Sequence, residues 1–131
     1  MTIYISGPMT GYPELNFPLF ADVALALRMG GFDVINPAEL PQKEDPSWAD
    51  CMRVDIAALI ECESIVMLPG WQRSRGARLE LHIARELGLR VYGLHTLLAE
   101  LPPSIPRGLA ATQIRRHTAT TAVATTQGEH A

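Results

Sequence analysis

Residues 65–91, IVMLPGWQRSRGARLELHIARELGLRV, carry the pattern that decides the fold of this 131-residue chain. Residues 65–68 are large and apolar and end at Pro69-Gly70, which reads as a short buried strand. A loop with Trp71, Ser74 and Gly76 follows; a helix begins near Gly76, Gly88 ends it, and a second strand starts at Arg90. A strand that runs through a glycine-bearing loop into a helix N-terminus offers backbone N–H groups and a favourable dipole to an anion. Glu80 stands about one turn into that helix, on the side facing the end of the sheet. A carboxylate beside an anion site calls for a chemical explanation. Its place near the helix start predicts a lowered pKa, which suits a nucleophile or electrostatic stabiliser better than a general acid.

Toward the N-terminus, residues 2–6 (TIYIS) are β-branched and aromatic and stop at Gly7-Pro8, the expected first strand. Asn16 is placed to cap a helix with Pro18 in its first turn, and Phe17, Phe20, Val23, Ala24 and Leu27 share one apolar face. Gly30-Gly31 ends that helix, residues 32–35 form a second strand, and residues 36–46 (NPAELPQKEDP) make a polar loop able to cover a site. Ser47 and Asp50 form a capping box, with Asp for the usual Glu, opening a helix over 48–61 whose inner side carries Met52, Ile56, Leu59 and Ile60. The alternation β-α-β-α-β-α-β with short connections predicts an α/β fold. It would be a small doubly wound, flavodoxin- or Rossmann-like parallel sheet of four to five strands, order 2-1-3-4. The ligand crevice should lie at the carboxyl ends of strands 1 and 3. Residues 95–101 read as a further short helix. One domain is expected over 1–110, with 111–131, rich in Thr and Ala and without apolar periodicity, as a flexible tail.

The totals exclude several classes. A net charge of −3 gives no broad electrostatic footprint for polymeric nucleic acid. No run approaches the roughly 20 apolar residues of a membrane span, so no membrane partner is expected. Cys51 and Cys62 are expected on one helix, roughly 16 Å apart by helical rise, too far to bridge; two free thiols suit a reducing cytoplasm. The four histidines lack ligand spacing, and neither a G-x-G-x-x-G fingerprint nor a Walker loop is present. No metal or other cofactor is called for.

Chemistry should therefore come from the three loops at the carboxyl edge and the helix starts beside them. Asp55 lies mid-helix between Val54 and Ile56; the bland reading is a solvated aspartate, as for Glu80 it is a residue that merely complements the dipole. Together they supply the two carboxylates that glycosidic cleavage uses, one at the anomeric carbon and one protonating the leaving group. Ser74, Gly76 and adjacent N–H groups would cradle a phosphate, with Arg73, Arg75 or Arg78 adding charge. Tyr4 either aims its hydroxyl at the crevice or is a core tyrosine. Trp71 either stacks a base or covers the core.

The segments IYISGPMTG, a helical Asp55, and LPGW-x-x-S-x-G-A-x-x-E-L-x-x-A followed by G-L-R-V resemble the nucleoside 2-deoxyribosyltransferase superfamily. The resemblance covers roughly residues 2–93 and is nearest its phage and prophage branch, with spacing similar to the 2′-deoxynucleoside 5′-monophosphate N-hydrolases. It implies that Glu80 is the nucleophile, Asp55 the carboxylate serving the departing base, and Tyr4 a hydrogen-bond donor to the nucleophile. The substrate-binding set would be Gly7, Pro8, Met9 and Gly11 from the first loop and Gly70, Trp71, Ser74 and Gly76 from the third. Ser74 stands where the transferases carry Asp, which tilts the substrate toward a 5′-monophosphate. Gly76-Ala77 replaces the usual G-T, and Glu63-Ser64 stands where Asp is common. Neither Trp71 nor the 36–46 loop has a clear counterpart, leaving base preference open.

The implied activity is cleavage or transfer at the N-glycosidic bond of a deoxynucleotide or nucleoside, in the cytoplasm of a bacterium or phage-infected host. The implied partners are that small molecule and a second copy in a homodimer or larger assembly, with Ser104 a candidate for completing the neighbour's site. Two rivals stand beside it. One is a non-catalytic module that binds or sequesters nucleotides. The other is a phosphoribohydrolase with a P-G-G-x-G-T-x-x-E loop, against which count the longer spacing here and the missing second glycine.

Overall fold

A computed structural model describes residues 1–111; the expected tail lies, apart from Ala111, outside the described residues. The elements are β1 (Thr2–Ser6), α1 (Phe17–Met29), β2 (Asp33–Ile35), α2 (Trp48–Leu59), β3 (Ser64–Met67), α3 (Arg75–Glu86), β4 (Arg90–Gly93) and α4 (Leu94–Ala99). Single 3-10 turns at Pro13–Asn16, Pro37–Glu39 and Trp71–Arg73 sit in the three loops at the carboxyl edge. All four strands are parallel, in the order β2-β1-β3-β4 expected from the sequence. Ile3 pairs with Val34 on one side of β1, while Tyr4 pairs with Ile65 and Ser6 with Met67 on the other.

Strand side chains alternate between faces, and the two cores follow that alternation. Ile3, Ile5, Val66 and Leu68 pack against Phe20, Val23 and Leu27 of α1 and Leu94, Leu97 and Leu98 of α4. Tyr4, Ile65 and Met67 face the other way, onto Leu59 and onto Ala77, Leu81 and Ala84 of α3. The sheet therefore carries α1 and α4 on one face and α2 and α3 on the other. Among the described residues no helix is long and apolar enough to cross a membrane.

Local chemistry explains the boundaries. Gly31 and Gly88, both at positive φ, close α1 and α3. In each case the residue after the glycine donates back to the third carbonyl from the helix end, Phe32 to Leu27 and Leu89 to Ala84. Ser47 and Asp50 form the expected reciprocal box, each side chain accepting from the other's backbone N–H at 3.0 and 2.9 Å.

Three expectations are corrected. Asn16 does not cap α1: its backbone is left-handed (φ 63°), as are Glu14 and Leu15 before it, and capping needs an extended residue. Its amide instead donates to the Pro8 carbonyl at 3.0 Å, tying the first loop to the start of α1. Helix α2 stops at Leu59, so Ile60 turns to solvent and Cys62 is buried beyond the helix rather than on it. Phe17 is likewise exposed, not part of the α1 inner face.

Candidate active site

A cleft of about 780 Å³ opens where β1 and β3 end, between the starts of α2 and α3. Each loop contributes for a local reason. Gly7 lets the chain leaving β1 pass Leu68, whose Cβ would lie 2.6 Å from an added Cβ. Gly70 has φ +88°, and a side chain there would collide with the Tyr12 hydroxyl, so the first and third loops meet over this glycine. At Gly76 an added Cβ would stand 3.1 Å from Met52 Sδ; the glycine brings the start of α3 against α2.

Glu80 is the sixth residue of α3, on the buried stripe it shares with Ala77, Leu81 and Ala84. Only 5% of it is exposed. Tyr4 Oη donates to Glu80 Oε2 at 2.7 Å and Ser6 Oγ donates to Oε1 at 2.7 Å, so each carboxylate oxygen receives one hydroxyl. Burial pushes the carboxyl up to about 7; the two hydrogen bonds pull it down and the Asp55 charge adds to the rise. The lowered pKa expected from the helix dipole is not found. Glu80 lies in the second turn, beyond the reach of the terminal N–H groups, and desolvation dominates. Burial, with the neighbouring Glu80 charge, also drives the Tyr4 phenol well above its usual value, keeping it a donor.

Asp55 reaches the same cleft from α2. Its Oδ1 is enclosed and has no hydrogen-bond partner among the described residues, and burial raises its carboxyl to about 6. Two carboxyls above their ordinary range thus share one pocket. Raised carboxyls gathered in a cleft mark a candidate functional site.

Of the other residues singled out from the sequence, Gly7, Pro8, Met9, Gly70, Ser74 and Gly76 line the cleft. Ser74 is also the cap of α3, its Oγ accepting from the Ala77 N–H at 3.2 Å, which leaves its own proton free to donate. Gly11 lies in the exposed part of its loop and does not line the cleft. Trp71 does not line it either: the 3-10 turn packs its ring against the Tyr4 core cluster. Its Nε1 is buried there without a partner among the described residues. Arg73 and Arg75 reach the cleft whereas Arg78 does not, and Ser104 is exposed on the segment after α4, away from the cleft lining. Two contributors escaped the sequence reading. Trp48, the first residue of α2, lines the cleft with the Arg75 guanidinium 3.6 Å from its ring centroid. Ser6 is the other; its one sequence signal is that it lies two residues from Tyr4 and so shares its face of β1.

Residues 1–93 match the family described as a domain of unknown function, DUF4406. The chain belongs to the DUF4406 family. The match ends with β4, so every side chain of the cleft named above falls inside the DUF4406 region. Two solved structures share the fold. A 2-deoxyribosyltransferase from the psychrotolerant bacterium Bacillus psychrosaccharolyticus is 21% identical, with a TM-score of 0.58 over 71% of each chain. A CMP N-glycosidase of Clostridium botulinum is 22% identical, with a TM-score of 0.52 over 71% of this DUF4406 chain and 67% of its own. No curated protein matches this DUF4406 member.

Proposed function

We propose that the protein cleaves or transfers at the N-glycosidic bond of a 2′-deoxynucleoside 5′-monophosphate, with Glu80 as nucleophile. The observation that carries this is the Glu80 carboxylate, buried at the cleft with one hydroxyl donor on each oxygen and a second, partly desolvated carboxyl facing the same space. A carboxylate meant only to complete a helix surface would not be held at both oxygens inside a core. That the two solved structures of the same fold are a deoxyribosyltransferase and an N-glycosidase supports the choice of bond.

In the first step a Glu80 oxygen bonds to C1′ while the C1′–N bond breaks. Its electron pair leaves with the base, which takes the proton from Asp55. In the second step water, or the nitrogen of another base, bonds to C1′ and returns its proton to Asp55, and the pair of the ester bond goes back to Glu80. Arg73, Arg75, Ser74 and the first N–H groups of α3 offer positive potential and donors for the 5′-phosphate. That set, without an acidic residue at position 74, favours a monophosphate over a nucleoside.

The test is to incubate the protein with each of the four deoxynucleoside monophosphates, the matching nucleosides and CMP, and to quantify free base by chromatography. Base release from at least one deoxynucleoside monophosphate is expected, with Glu80→Ala slower by roughly a thousandfold or more. No release from any substrate, or an unimpaired Glu80→Ala, would sink the reading.

A further inference from the structure

Glu80 has two oxygens, and the fold treats them differently. The donor to Oε2, Tyr4, lies inside the sheet opposite Ile65. The donor to Oε1, Ser6, is the last residue of β1, and the next two residues, Gly7 and Pro8, are already cleft wall. Two residues of strand advance the chain by roughly 6.6 Å. Of the two donors, the one on Oε1 is thus nearer along β1 to the cleft wall. Resting on the glycosidic reading above, we propose that Ser6 is a positioning residue for Glu80 and that the oxygen it holds, Oε1, is the atom that bonds to C1′.

The consequences for the two steps differ in sign. Ser6 donates most strongly to a charged oxygen. Before attack it stabilises ionised Glu80, so the nucleophile is available at lower pH than burial alone would allow. Once Oε1 has become the bridging oxygen of the ester it is a poor acceptor, and the Ser6 bond weakens. When the C1′–Oε1 bond breaks, the pair and the negative charge return to Oε1 and the bond to Ser6 is regained in the transition state. Ser6 therefore favours release of the sugar from the protein more than its capture. Tyr4 holds Oε2, which becomes the carbonyl oxygen of the ester and remains an acceptor throughout.

The groups that face Glu80 allow its ionisation to be followed cleanly. From β1 come Tyr4 and Ser6, from β3 the apolar Ile65 and Met67, from α2 Asp55 and Cys51, and along the same cleft Arg73 from the 3-10 turn after β3 and Arg75 from the start of α3. Replacing Ser6 by Ala removes one donor and no charge.

The experiment has two arms, run on wild type, Ser6→Ala, Ser6→Thr and Tyr4→Phe. Carbon-13 NMR of glutamate-labelled protein follows the Glu80 carboxyl directly. Its midpoint should rise in Ser6→Ala by about half a unit to one unit and return in Ser6→Thr, which keeps the hydroxyl. In turnover, kcat/KM of Ser6→Ala should be about three- to tenfold below wild type under acidic and neutral conditions, a deficit that closes once the pH exceeds the Glu80 midpoint of both proteins. Intact-mass measurement should then show the deoxyribosyl-phosphate adduct accumulating in Ser6→Ala above wild type and above Tyr4→Phe. Base release with an unshifted Glu80 midpoint in Ser6→Ala overturns the assignment alone, as does an adduct that builds up in Tyr4→Phe but not in Ser6→Ala. If wild type releases no base from any nucleotide, the assignment falls together with the function on which it rests.

Discussion

At the level of single residues, the pair Glu80 and Asp55 dictates a pH response that can be worked out in advance. In the proposed mechanism, attack needs Glu80 without its proton and departure needs Asp55 with one. Burial raises Asp55 to about 6 and Glu80 to about 7, so both carboxyls change charge near neutral pH. A plot of kcat/KM against pH should pass through a single maximum between about pH 6 and 7 and fall on each side. Asp55→Asn should lose the alkaline fall and about a hundredfold or more in rate. A profile still rising above pH 9 would contradict both assignments. Glu80→Gln tests burial separately from chemistry. It keeps the shape but removes the buried charge, so it should melt several degrees above wild type at pH 8 and nearly with it at pH 5. Both carboxylates were singled out in the sequence, Glu80 from the loop before it and Asp55 as the second carboxylate to pair with it, and the fold brings both to one cleft. Ser6 was not, because its partner is 74 residues away and a serine ending a strand has no local signature.

At the level of elements, the site depends on how closely α3 approaches α2. Gly76 permits that approach against Met52. Gly76→Ala should be mild, since a thioether side chain can yield by a few tenths of an ångström. Gly76→Val should cost about 1–3 kcal/mol in chemical denaturation and reduce turnover further, by separating Glu80 from Asp55. Shortening Met52 to Ala in the Gly76→Val background should recover part of that loss, a coupling absent if the contact is irrelevant. At the other end of α2, Ser47→Ala removes one half of the capping box and should cost about 1 kcal/mol. The sequence announced this cap because its signature lies within four residues. It could not announce that Trp48 rather than Trp71 faces the cleft. Which way an aromatic turns at a helix start or in a 3-10 turn is settled by what packs beneath it, and Trp71 has the Tyr4 cluster.

At the level of the whole molecule, the order of the strands followed from short apolar runs punctuated by Gly and Pro, because a parallel sheet with helical crossovers admits few arrangements. The balance of its titrating groups was beyond such reading, since it depends on burial. Glu80 and Asp55 have folded pKa values above their unfolded ones, so between the two the folded state holds more protons and stability falls as pH rises. Their contribution is complete below about pH 4 and is lost as pH climbs through 6 and 7, about 3 kcal/mol for Glu80 alone. Glu39, held low by Arg28, and Asp50, held low by the Ser47 backbone, act in the opposite sense and lose their contribution as pH falls below the ordinary carboxylate range. Urea midpoints should accordingly peak near about pH 5, and the double variant Glu80→Gln, Asp55→Asn should flatten the decline above it. The cleft has a further consequence. Much of its wall comes from the segments between Gly7 and Phe20 and between Pro37 and Trp48, which hold none of the hydrogen-bonded trio Tyr4, Ser6 and Glu80. Those segments can be lengthened, shortened or rewritten, and the cleft so reshaped, without touching the hydrogen bonds that join Tyr4 and Ser6 to Glu80.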